Sequence, residues 1–299
     1  MEYHNPVLLK ESVDALDIKK DGVYVDVTFG GGGHSREILS RLGPNGKLFG
    51  FDQDPDANAN KIDDDRFVLI QENFRFISRF LKFYRIEKVD GILADLGVSS
   101  HQFDEAERGF STRFDGDLDM RMNQKSTTSA KEIINTYSEE KLASILFLYG
   151  ELRNSRNLAK TIVEERGTKE IETSFQLKEI LKKYLPNAKE HKILAQIFQA
   201  IRIEVNEELA VLKEFLEQIP KLLKKDGRLS VISYHSLEDR LVKRFINAGL
   251  FSGEPEKDFF GNKIVPLEKV GKLIIPTPIE IGNNNRARSA KLRIAKLKV

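Results

Sequence analysis

Cysteine is absent from the 299 residues. That excludes disulfides, iron–sulfur clusters, thiolate zinc sites and any cysteine nucleophile. No apolar run approaches the roughly 20 residues of a helical membrane span. The opening MEYHNPVLLKES has no basic segment leading into an apolar core, so no secretory signal is read and the expected setting is cytoplasmic, without a membrane partner. Charge of one sign is also scarce, with a formal net charge of only +2. A nucleic-acid partner therefore cannot be inferred from the total, only from its distribution. Arg286 to Val299 holds six basic residues and no acidic one, a candidate for phosphate contact as much as a solvated edge. Internal repeats and low-complexity tracts are missing too. What is present, 40% hydrophobic and 31% charged residues, suits a globular chain with room for about two domains.

The first hundred residues alternate strand and helix patterns. Nearly continuous apolar runs at 23–29, 47–52, 67–71 and 89–96 read as strands of a parallel sheet covered on both faces. Helical periods fall between them, at 35–42 and 76–84. The rhythm breaks over 105–125, and three helical patterns follow around Leu142–Leu152, Leu177–Leu185 and Ile193–Ile201. The α/β signal returns with a helix over Leu209–Ile219, a fifth strand in KKDGRLSVISYH (224–235) and a helix from about Ser236. SAKLRIAKLKV at the end alternates as an edge strand would. The expectation is a doubly wound, Rossmann-like α/β domain built from 1–104 and 205–299, interrupted by an all-helical insertion at 105–204.

VDVTFGGGGHS (25–35) joins the first strand to the first helix through four glycines. Such a loop lets backbone approach a ligand, and the helix start behind it offers free N–H groups. A P-loop requires Gly-Lys-Ser/Thr, but His34 and Ser35 follow Gly33. The dinucleotide pattern fits Gly30 and Gly32 but meets Ser35 at its third glycine. A third reading is the adenosylmethionine loop of Rossmann-like methyltransferases, with Asp26 closing the strand and Thr28 where glycine is commoner. Asp52, 20 residues after Gly32, stands where an acid holds ribose hydroxyls and is preferred to Asp54. Asp95 closes the fourth strand, at the edge where parallel sheets bind ligands. Asp115, Asp117 and Asp119 alternate like a calcium loop, but Met120 and Ser126 replace the required glycine and glutamate. The five histidines, at 4, 34, 101, 191 and 235, lack metal-ligand spacing, and no metal is expected.

Taken together, HNPVLLKE (4–11), the glycine stretch, FDQDP (51–55), DGILADLGVSS (90–100), DEAERGF (104–110), DLDMRM (117–122), FQAIRIEVNEEL (198–209), SYHSLEDRLVKRF (233–245) and RARSAKLR (286–293) resemble the bacterial 16S ribosomal RNA cytosine-N4 methyltransferases from end to end. Gly31 departs from the arginine many relatives carry, and Asn285 from their proline. The resemblance implies S-adenosyl-L-methionine as cofactor and 16S rRNA of the small ribosomal subunit as partner, with a homodimer as an option. It implies cofactor contacts from Gly32, Gly33, His34, Asp52, Phe74, Asp95 and Gln102, and a substrate-recognition role for the insertion. Methylation at cytosine C5 normally requires a cysteine nucleophile, which this chain lacks; transfer to an exocyclic amine does not. Asp95 is then the catalytic candidate, holding the amine. Phe103, Phe110 and Tyr234 are candidates to stack on the base, with His235, Arg286 and Arg288 also toward the RNA. The competing readings are a non-catalytic RNA-binding or assembly factor and an NAD-dependent oxidoreductase.

Overall fold

The computed structural model describes residues 6–298; His4 and Asn5 of the HNPVLLKE stretch, and the side chain of Ser100, lie outside what it describes. In chain order the principal elements are α1 (Leu9–Asp14), β1 (Val23–Asp26), α2 (Gly33–Arg41), β2 (Lys47–Phe51), β3 (Phe67–Ile70), α3 (Ile77–Phe83), β4 (Val89–Asp95), α4 (Ser100–Asp104), α5 (Ala130–Thr136), α6 (Glu139–Leu148), α7 (Ser155–Arg166), α8 (Ser174–Ile180), α9 (Glu190–Asn206), α10 (Glu208–Leu222), β5 (Leu223–Ser233), α11 (Ser236–Ala248), β6 (Leu267–Lys269), α12 (Pro278–Asn283) and β7 (Lys291–Leu297). No helix of the described residues is long and apolar enough to cross a membrane.

The chain divides into two compact units, residues 1–97 with 209–299, and residues 98–208. The helical unit thus begins at 98 rather than 105 and ends at 208 rather than 204. Val98 and Phe103 pack against its apolar core, and α9 continues through a further turn before Glu207 takes a left-handed conformation. Packing, not composition, sets these limits.

In the first unit, seven strands run in the order β3-β2-β1-β4-β5-β7-β6. β1 to β5 are parallel and β7 is antiparallel to both its neighbours. The pleat sends successive side chains to opposite faces. Val25 joins Ile92, Leu216 and Phe245 on one side of the sheet. Tyr24 joins Val13, Ile38 and Leu93 on the other. Both faces are covered, which is why the strands read as unbroken apolar runs. β7 is not the edge strand its alternation suggested: β6, three residues long, pairs with its outer side. So short a strand in a Pro/Gly-containing stretch carries no periodic signal.

The helical unit has its own core, in which Ile133, Leu142, Leu158, Leu177 and Ile197 are all buried. α5 and α7 lie outside the three sequence-read helices. α7 buries Thr161 and Ala159 along with Leu158 and Ile162, so its inner face is too short on large apolar residues to show a clear period.

Candidate active site

The strand order reverses direction between β1 and β4. In open α/β sheets a crevice opens at this switch point, outside the carboxyl ends of the strands. Asp26 ends β1, Asp52 follows β2 and Asp95 ends β4.

Asp26 is fully buried. Its Oδ2 accepts from the Ser35 hydroxyl at 2.7 Å and its Oδ1 from the Thr28 N–H at 3.1 Å. Burial pushes its carboxyl up to about 6, against the pull of those donors. Thr28 and Ser35, the two departures from an all-glycine pattern, are therefore structural ties. The Thr28 hydroxyl oxygen also accepts the backbone N–H of Asp95 at 2.6 Å, joining the tips of β1 and β4. A serine nine residues after a strand-ending aspartate was the available signal for the first of these ties.

Gly30 and Gly32 have φ of +50° and +75°, conformations that glycine adopts without strain. A Cβ on Gly33 would stand 2.2 Å from Pro6 Cγ, so the α2 start needs glycine for closeness rather than for φ. Gly32 caps α2 without a side chain, leaving the first-turn N–H groups for a ligand with acceptor oxygens. Asp52 Oδ2 accepts the Gly30 N–H at 2.8 Å and Oδ1 the Asp54 N–H at 2.9 Å. Desolvation pushes the Asp52 carboxyl up to about 6. Asp54 instead caps the following 3-10 turn through the Asp56 N–H, which separates the two acids by role. Phe74 follows β3 and meets Phe215 edge-on at 5.2 Å. Beneath it, Asn73 donates to Gln53 at 2.8 Å, tying the loops after β2 and β3 together. Gln53 and Asn73 were not among the expected site residues.

Asp95 Oδ1 accepts from the Tyr234 hydroxyl at 2.7 Å. His34 Nδ1 stands 3.8 Å from Oδ2. The other His34 nitrogen, Nε2, lies 3.3 Å from the Val7 carbonyl. A carbonyl only accepts, so the imidazole hydrogen is assigned to Nε2 and a bare Nδ1 faces Asp95. Burial lowers the His34 pKa, favouring that neutral form. Burial also pushes Asp95 up to about 6, against the hydrogen bond from the Tyr234 hydroxyl. Tyr234 is raised well above its ordinary value, first by burial and then by Asp95, and stays a neutral donor. Among the described residues Tyr234 donates to Oδ1 and no hydrogen-bond donor reaches Oδ2.

His235 and Glu238 serve the next helix. The His235 ring accepts the Glu238 N–H, and Glu238 accepts the Tyr234 N–H at 2.9 Å. Arg286 and Arg288 lie on a 3-10 turn just before β7. Further along the basic terminus, Lys291 and Arg293 flank Asp239, and Lys296 lies near Asp226 and Glu268. Gln102, Phe103 and Phe110 belong to the helical unit. Gln102 completes the capping box of α4 with Ser99, Phe103 packs against the helical core, and Phe110 is buried within it. Phe110 is thus placed as a packing residue and Tyr234 as a hydrogen-bonding one.

The reversed strand order, the glycine loop and the three carboxylates at the strand tips define a Rossmann-like α/β enzyme of the methyltransferase class. The chain belongs to the MraW methylase family, whose model matches residues 1–298. It is 68% identical over 296 residues to ribosomal RNA small subunit methyltransferase H of Christiangramia forsetii, covering 99% of this chain and 98% of that one. The proteins of the same name in Flavobacterium johnsoniae and Bacteroides thetaiotaomicron are 68% and 56% identical, with 99% and 100% of this chain and 98% of each relative covered.

Proposed function

We propose that the chain transfers a methyl group from S-adenosyl-L-methionine to the N4 amino group of a cytosine in 16S rRNA of the small ribosomal subunit. The relatives' names support the substrate, and the observation that carries the chemistry is Oδ2 of Asp95, which no donor among the described residues reaches. The residues present fit the cofactor. The uncapped α2 start supplies amide donors for a carboxylate, and Asp52 keeps one lone pair on each oxygen beyond those used by Gly30 and Asp54, enough for two ribose hydroxyls. Phe74, fixed by Phe215, is assigned to the adenine. The bound cofactor supplies an electrophilic methyl on sulfur.

Methyl transfer of this kind is an in-line displacement, so positioning contributes most of the rate. Asp95 accepts a hydrogen bond from the substrate amine through Oδ2 and orients the nitrogen lone pair. Its negative charge offsets the positive charge that grows on nitrogen, and Oδ2 takes the proton that the methylated amine then releases. Tyr234 holds the carboxylate through the other oxygen, and neutral His34 leaves the charge uncancelled. Arg286 and Arg288 are assigned to the RNA. The same reading places the chain in the cytoplasm, with a second copy of itself as an optional partner.

Nucleoside mass spectrometry tests the proposal. Small subunits incubated with the chain and adenosylmethionine should gain N4-methylcytidine in 16S rRNA. Binding without methyl incorporation would make the chain a non-catalytic RNA-binding factor instead.

A further inference from the structure

A shallow groove lies within the first unit, between α11 and the β6–β7 edge of the sheet. Its floor takes its apolar lining from Ile246 of α11, which is buried, and from Leu273 and the β7 strand at Ile294. Its rim carries Lys243 from α11, Lys269 from the end of β6 and Lys272 just beyond it, all exposed. Arg293 also lines it, but is held by Asp239 through bonds of 2.6 and 3.1 Å. Asp239 is shared with Lys291 at 3.5 Å, so that acid has no charge to spare for the rim. Glu268, next to Lys269, pairs with Lys296 at 3.4 Å, and strand alternation turns it to the face opposite Lys269. Among the described residues none of the three rim lysines has an acidic partner. Three uncompensated cations over an apolar floor are a local concentration of charge in a chain whose net charge is only +2.

We propose that this groove is an RNA-anchoring site that binds phosphodiester groups of the substrate through Lys243, Lys269 and Lys272. It rests on the reading of the substrate as RNA. Lysines act on phosphate as mobile point charges, and an apolar floor tolerates sugar. Lys243 lies two turns into α11, roughly 10 Å along the helix from Tyr234 and His235 at its start. The groove is therefore separate from the amine-holding carboxylate, and its loss should leave the chemical step alone.

The experiment uses the full chain with Lys243, Lys269 and Lys272 changed together to Gln, and a control triple at exposed lysines elsewhere on the unit, Lys47, Lys82 and Lys225. Affinity for a 16S rRNA transcript is measured across salt concentrations. Each lost phosphate contact removes about 0.7 from the slope of log affinity against log salt on single strands. The fall in affinity between 50 and 200 mM salt should therefore be about 20-fold smaller for the groove triple than for wild type. Adenosylmethionine affinity and the methylation rate at saturating RNA should not change, and the control should behave as wild type. Unchanged affinity and slope in a groove variant that still binds adenosylmethionine overturns the proposal. So does an equal loss in the control, or a loss seen only with assembled subunits, which would point to a protein partner. A wild-type chain that binds adenosylmethionine but no RNA refutes the assigned function itself, and the groove inference with it.

Discussion

Tyr234→Phe separates the two oxygens of Asp95. The tyrosine hydroxyl donates to Oδ1 at 2.7 Å and is one of the influences that lower the Asp95 pKa, which burial has pushed up to about 6. A donor to a carboxylate favours its charged form, so removing the donor raises the pKa further. A hydrogen bond to a charged group is worth roughly 1.5–3 kcal/mol, and 1.36 kcal/mol is one pKa unit. The variant should therefore move Asp95 from about 6 to between about 7 and 8. Only ionised Asp95 carries the negative charge that offsets the charge growing on nitrogen, so activity is lost on the acid side. The acid limb of the single-turnover rate should shift upward by about 1–2 pH units. At pH 9 the variant should recover most of its rate, because Asp95 is ionised again and Oδ2 is untouched. Tyr234 itself does not titrate in this range, being raised well above 10. The assay is radiolabelled methyl transfer to small subunits with adenosylmethionine saturating, from pH 5 to 9. An acid limb that stays put, or moves down, refutes the argument. A pH-independent loss would assign Tyr234 to stacking on the base instead.

Three further outcomes are expected. Asp95→Asn keeps one acceptor oxygen without the charge and Asp95→Ala removes both, so saturated single-turnover rates should fall in that order, by about 100-fold or more for Ala; a wild-type rate in Ala would place the amine-holding group elsewhere. Asp52→Ala should weaken adenosylmethionine binding at least ~10-fold by calorimetry, the equivalent of 1.4 kcal/mol; unchanged affinity in a folded variant removes Asp52 from the site. Replacing Arg286 and Arg288 with Gln should weaken RNA binding and flatten its salt dependence, whereas Lys296→Gln should change neither, since Lys296 already lies beside Asp226 and Glu268; equal effects from both would make the terminus a general charge surface.

Read along the chain, the buried strands were legible because both faces of the sheet are covered: β1 to β4 each carry a nearly continuous apolar run, bounded to within a few residues. The glycine loop and the three acids at strand ends were legible for a related reason, since a parallel sheet exposes only its carboxyl edge to a ligand. Family membership was written in motifs spread over the whole length. Other features depended on contacts between residues far apart in sequence, which no local pattern records. β6 exists only because β7 offers it an edge, and the helical unit begins at Val98 because Val98 and Phe103 find its core. The basic terminus looked like one patch, yet Lys291, Arg293 and Lys296 meet acids brought in from α11, β6 and the turn inside β5. Tyr234 read as an aromatic available for stacking. Only the parallel pairing of β4 and β5, which brings the ends of two strands side by side, placed its hydroxyl on Asp95 and left the other carboxylate oxygen without a donor among the described residues.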